Sequence, residues 1–145
     1  MSSPLADNYL FLQPLVEARI RDRVAGLPVE GVEQMAQIVE AQDRRAEVCF
    51  VMWGGDRFAD TANAGDATQV VQEWVLWLRV INASAADKDA RSSAAGARLA
   101  QLHAAMAGFK PAGCARGFRR TNGPRPNYQP ASGLYPLSFG ISLHL

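Results

Sequence analysis

Cysteine and histidine are scarce in this chain, with two of each in 145 residues. Cys49 lies in an apolar run and Cys114 in a glycine-rich stretch, with no CxxC spacing. Two free thiols in a reducing compartment are therefore expected rather than a disulfide framework. The cysteines and histidines (Cys49, His103, Cys114, His144) lack zinc-site spacing, and Asp56, Asp60 and Asp66 lack that of a calcium loop. No metal and no cofactor is expected. There is no G-x-S-x-G, and Gly54-Gly55 belongs to neither a Walker motif nor a dinucleotide fingerprint. His103 falls beside the apolar stripe of a helix and His144 on the polar face of a strand, so neither reads as a base. No catalytic residue is assigned, and the chain is not expected to be an enzyme. It opens without a basic, then apolar, leader, and no apolar run approaches the ~18 residues of a membrane span. A soluble protein made in the cytoplasm, with no membrane partner, is expected. The net charge of +1 provides no global field to steer the chain to nucleic acid, so any such contact must come from a local cluster.

What is present suits one globular domain over residues 1–145: hydrophobic residues make up 48% and charged residues 20%. Tyr9, Leu12, Val16, Ile20, Val24 and Leu27 recur every three or four positions, which predicts an amphipathic helix from Asn8 to Ala25 ended by Gly26 and Pro28. Val29–Val32 fits a short strand, and Val32, Met35, Ala36 and Val39 then take helical spacing. Val48–Trp53 is a continuous apolar run stopped by Gly54-Gly55, as in a buried strand, and residues 54–68 read as a long loop. A second helix is predicted from Ser84, its N-cap, with Asp87 in a capping-box position and a stripe of Ala95, Leu99, Leu102, Met106 and Phe109.

Two segments alternate with a period of two. In Val70–Ile81, Val70, Trp74, Leu76, Leu78 and Val80 share one face with Gln72, while Val71, Glu73, Val75, Trp77, Arg79 and Ile81 make the other a mixed surface. In Tyr135–Leu145, Tyr, Leu, Phe, Ile and Leu alternate with Pro, Ser, Gly, Ser and His. Between the second helix and this last strand, residues 110–133 form an arm dense in Gly, Pro and Arg, with one edge strand near 115–120 and prolines that bar a central strand. The fold class expected is α+β: a two-layer sandwich with a mostly antiparallel sheet of about four strands and two main helices on one face.

Three places offer surfaces for contact. They are Arg57 and Phe58 in the 54–68 loop, Trp77 and Arg79 on the mixed strand face, and the cluster Arg116, Phe118, Arg119, Arg120, Arg125 and Tyr128 in the arm. Arginines interleaved with aromatics suit nucleic acid, but also a neighbouring subunit, where Arg and Tyr are favoured. With the chain near neutral, the subunit reading is preferred. Trp77 fits either beneath a loop of its own chain or beneath a partner.

The opening helix NYLFLQPLVEARIRDRVAGLP, the strand EVCFVMWGG, the segment TQVVQEWVLWLRVIN, the alanine-rich helix ending AGFKP and the closing strand LYPLSFGISLHL together resemble phage tail terminator and tail completion proteins of the Mu-like and lambda-like groups. The resemblance covers nearly the whole chain and carries no catalytic motif. It implies a virion protein, present in the host cytoplasm during assembly, that forms a homo-oligomeric and commonly hexameric ring at the head-proximal end of the tail tube. The partners it implies are the tail tube protein, the head–tail connector or neck proteins and, where the tail has one, a sheath; DNA would only pass through the channel. From a different class, a small nucleic-acid-binding or adaptor domain using the arginine arm remains the alternative.

Overall fold

A period of two over a dozen residues can be satisfied only by a strand with two distinct faces, and two such strands, joined by the apolar strand that begins at Glu47, form the centre of the molecule. The computed structural model describes residues 4–40, 45–58, 69–81, 88–129 and 132–144. The chain runs α1 (Pro4–Asp7), α2 (Leu12–Arg23), β1 (Val29–Val32), α3 (Met35–Glu40), β2 (Glu47–Phe58), β3 (Gln69–Ile81), α4 (Lys88–Met106), β4 (Arg119–Thr121), β5 (Asn127–Gln129) and β6 (Ser132–His144). The central strand β3 pairs antiparallel with β2, from Glu47↔Val80 to Phe58↔Val70, and with β6, from Gln69↔His144 to Ile81↔Ser132. The order across the sheet is β1-β2-β3-β6-β4, and β5 also pairs with β6.

The register lines up the apolar sets of the three strands. Val70, Trp74, Leu76, Leu78 and Val80 of β3 join Cys49 and Val51 of β2 and Tyr135, Leu137, Phe139, Ile141 and Leu143 of β6 in one core. Leu12, Val16 and Ile20 of α2, with Ala95, Leu102 and Met106 of α4, close it from above. Both long helices therefore lie on one face of the sheet.

The opposite face departs from the expected fold class. Val48, Phe50, Val75, Trp77 and Leu134 gather there around Val32 and Ile38 in a second, smaller core. The sheet has six strands rather than about four and is mixed, because β1 runs parallel to β2 from Val29↔Cys49 to Val32↔Met52. The two-layer sandwich with a sheet of about four strands is thus overturned in strand number and in layering, and one parallel pair among four antiparallel ones makes the sheet mixed. The cause lies in the apolar run Val48–Val51, which is buried on both sides. A strand apolar on both faces needs cover on both. A parallel pair also needs a crossover, and the segment carrying α3 supplies the crossover and the cover together.

Two local boundaries also moved. Gly54 and Gly55, expected to stop the strand, sit instead within β2, where the register shifts between Trp53 and Gly55. Gly55 has φ +98, a conformation glycine adopts without a Cβ penalty, so the pair forms a bulge and the strand continues to Phe58. The opening helix is broken. Asn8 Oδ1 accepts the Leu10 N–H at 3.1 Å, a local bond that competes with helical pairing, and α2 begins only at Leu12. The chain of residues 110–129 holds two edge strands, β4 and β5, with Pro124 and Pro126 between them. Both pair with the same outer edge of β6, at Ser138–Gly140 and at Ser132–Leu134, which borders the sheet. The Ser84 cap, the Asp87 position and residues 59–68 lie outside the described residues. Among the described residues, no helix is long and apolar enough to cross a membrane.

Candidate interaction surfaces

The ten contact residues read from the sequence divide into three groups. Trp77 and Arg79 lie inside: Trp77 is 3% exposed and Arg79 5%, with the Arg79 guanidinium 5.3 Å from the centre of the Phe50 ring. The short helix α3 closes over this face of the sheet, with Ile38 in the same cluster as Trp77. The Trp77 indole N–H is buried and finds no acceptor among the described residues.

Phe118 is also internal. Its ring stacks on Phe109 at 6.0 Å, its N–H donates to the Phe109 carbonyl at 2.8 Å, and its own carbonyl accepts the Gly108 N–H at 2.9 Å. These bonds tie the root of the 110–129 segment to the end of α4. Gly117 is required there, because a Cβ at this position would stand 2.7 Å from the Gly108 carbonyl oxygen.

The remaining seven are at the surface. Arg57 and Phe58 occupy the end of β2, where Arg57 pairs with Glu73 and Phe58 is 60% exposed. Arg116, Arg119, Arg120, Arg125 and Tyr128 border β6. Arg120 lies 5.7 Å from the Phe139 ring centre and donates to the Ser138 carbonyl at 3.1 Å, while Tyr128 is 60% exposed and meets Tyr135 edge-on at 5.6 Å. Arg119 and Arg120 line a shallow groove of about 200 Å³ with Val71, Thr121, Gly140 and Ser142. The structure thus brings the arginines together along one border and sets Arg57 and Phe58 on the other side of the sheet, beyond β3.

Sequence reasoning missed a cluster at that far side. Trp53, taken as the end of a buried strand, is 39% exposed, and the ring of Tyr9 meets it edge-on at 6.1 Å. The Tyr9 hydroxyl donates to Asp56 Oδ2. The Tyr9 carbonyl accepts from Gln72 Nε2 at 2.8 Å, and Gln72 Oε1 accepts the Trp74 indole N–H at 3.0 Å. Gln72, the one polar residue on the apolar face of β3, is fully buried and serves as the hinge of this network. The Gly54-Gly55 pair was the available signal, since a glycine inside an alternating strand marks a bulge that re-aims its neighbours.

Tyr9 of this cluster and Cys49, further along β2, both hold their protons unusually tightly. Burial pushes the Cys49 thiol up to about 12. The bond to Asp56, helped by burial and by the carboxylate charge, pushes the Tyr9 phenol up to about 12. Both pKa values rise on folding, so the stability they support is complete below the unfolded values and falls as pH rises towards 12. Denaturant unfolding followed by circular dichroism is expected to show the unfolding free energy dropping from about pH 9 upward, by about 1.4 kcal/mol per pH unit once the unfolded thiol ionises. Cys49→Val should flatten that slope; an unchanged slope would refute the assignment.

Among the described residues, no three His, Cys, Asp or Glu side chains gather as metal ligands. Comparison with the curated proteins gives no match. Over residues 6–145, nearly the whole chain, the sequence matches the family model described as phage tail terminator protein. The chain belongs to that family: it is a structural phage tail protein and a component of the virion.

Proposed function

We propose that this member of the phage tail terminator family forms a homo-oligomeric ring, hexameric by resemblance, on the head-proximal end of the tail tube. There it ends tube polymerisation and joins the tail to the neck. The observation that carries the reading is the family match over residues 6–145. The surface chemistry agrees with it: exposed aromatic and arginine side chains stand on opposite borders of one sheet, the composition favoured at protein interfaces. On this reading the partners are further copies of the chain, the tail tube protein and the head–tail connector, with DNA only passing through. The protein would be made in the host cytoplasm and carried in the virion.

The test is twofold. The purified chain should sediment as a ring-sized species and show rings by negative-stain microscopy. Particles assembled without it should carry overlong tubes that fail to join heads. A strictly monomeric protein that leaves tube length unchanged would sink the proposal. The arginine border gives the nucleic-acid reading one specific point in its favour, namely four exposed arginines beside an exposed tyrosine. Monomeric binding to DNA with a steep salt slope is the result that would move the conclusion there.

A further inference from the structure

The net charge of +1 conceals a sharp asymmetry. Up to Asp89 the chain carries eight Lys and Arg against fourteen Asp and Glu; after Asp89 it carries seven Lys and Arg and no acid at all. The sheet order turns this division into two borders. The β1–β2 side is drawn from the acidic part, and the β6–β4–β5 side from the basic part. Among the described residues, Arg116, Arg119, Arg120 and Arg125 form no ion pair.

Each border has an uncovered length of strand. β1 pairs with β2 only as far as Met52, so among the described residues nothing pairs with the outer edge of Trp53–Phe58. β4 pairs with β6 only at Ser138–Gly140, and none of the described strands pairs with the outer edge of Ile141–Leu143. The two openings lie at one end of the sheet and at one height. Gly55 is level with Glu73, Gly140 and Arg119, and Phe58 with Val70 and Leu143. Glu33 follows directly on β1, and Asp56, bonded to Tyr9, and Arg57, paired with Glu73, lie within the open edge of β2, whereas Arg116 and Arg119 flank the open edge of β6. Natural sheets shield such edges with charge, proline or cover. Beside its bulge, Asp56 and Arg57, the β2 edge also presents Trp53 and Phe58.

We propose that copies of this chain join head to tail, the open edge of β2 in one copy (Trp53–Phe58) adding to the open edge of β6 in the next (Ile141–Leu143), so that the sheet continues across the contact. This rests on the ring reading and specifies its contact. Two different edges on opposite borders make a heterologous contact, the kind that closes into a ring. Strands β2 and β6 are both antiparallel to β3, so the new ladder is parallel, as β1–β2 already is. In a continued sheet Phe58 falls on the same face as Leu143 and Ile141.

Two variants test the contact, each changed only at exposed positions: Trp53→Lys with Phe58→Lys, and Arg116→Glu with Arg119→Glu. Circular dichroism and melting check that both remain folded. Each alone should lose the ring and sediment as a monomer, while a 1:1 mixture should give a heterodimer, because each supplies the edge that the other retains. Rings that persist in both variants would overturn this contact while leaving the ring reading intact. An oligomer lost only with the lysine variant would show a symmetric β2–β2 contact and overturn it too. A wild-type chain that never oligomerises would fail the ring reading itself, and this contact with it.

Discussion

Trp74→Ala is expected to lower the unfolding free energy by about 3–5 kcal/mol, enough to abolish much of the stability of a domain this size. Trp74 heads the fully buried side chains by volume and stands at the centre of the main core, level with Phe139 of β6. Its loss leaves a cavity between the sheet and both long helices. It also leaves Gln72 Oε1 without its donor, in a position with no access to water. Trp74→Phe separates the two effects. It keeps most of the apolar volume but removes the N–H, and should cost about 1–3 kcal/mol through the orphaned amide oxygen. Urea midpoints at constant slope measure both changes. Equal midpoints for Trp74→Phe and the wild type would show that the Gln72 bond contributes nothing.

That core was legible in advance because burial on one face imposes a pattern that can be read without coordinates. The face Val70, Gln72, Trp74, Leu76, Leu78 and Val80 and the alternation of Tyr135 to Leu143 both appear in the structure as read. The errors arose where two signals competed. The continuous apolar run Val48–Trp53 predicts one buried strand, but its part buried on both faces, Val48–Val51, also requires a second cover, and hence α3 and the parallel strand β1. Gly54-Gly55 carries the composition of a terminator and of a bulge alike; only pairing with β3 beyond it, at Glu73 to Val70, decides between them. Of the contact residues, exposure is legible for Arg57, Phe58 and the arginines of the arm but not for Trp77 and Arg79, because the mixed face of β3 gives no hint that a six-residue helix lies over it. The charge division is hidden in the composition for a simpler reason. A whole-chain sum cancels opposite borders that the fold keeps apart.

Neighbouring residues at the root of the arginine border should respond in opposite ways to substitution. Phe118→Ala is expected to cost about 3–5 kcal/mol, since it removes a buried ring stacked on Phe109 and opens the core beneath β4. Phe109 is itself held by the Arg19 guanidinium 4.6 Å from its ring centre, and Arg19 Nε donates to the Ala105 carbonyl at 2.9 Å. The lesion therefore spreads to the α2–α4 contact, and the melting temperature should fall by more than 10 °C. Phe118→Leu, which refills most of the volume, should recover most of the loss. Arg119→Ala, one residue on, changes an exposed side chain without an ion pair and should stay within about 0.5 kcal/mol of the wild type. If the border is an assembly surface, Arg119→Ala weakens assembly at unchanged melting temperature, whereas Phe118→Ala loses it only in proportion to the fraction unfolded. Thermal melts run beside sedimentation on the two variants distinguish these outcomes. Loss of assembly in strict proportion to stability in both would mean that the arginine border serves only to finish the sheet.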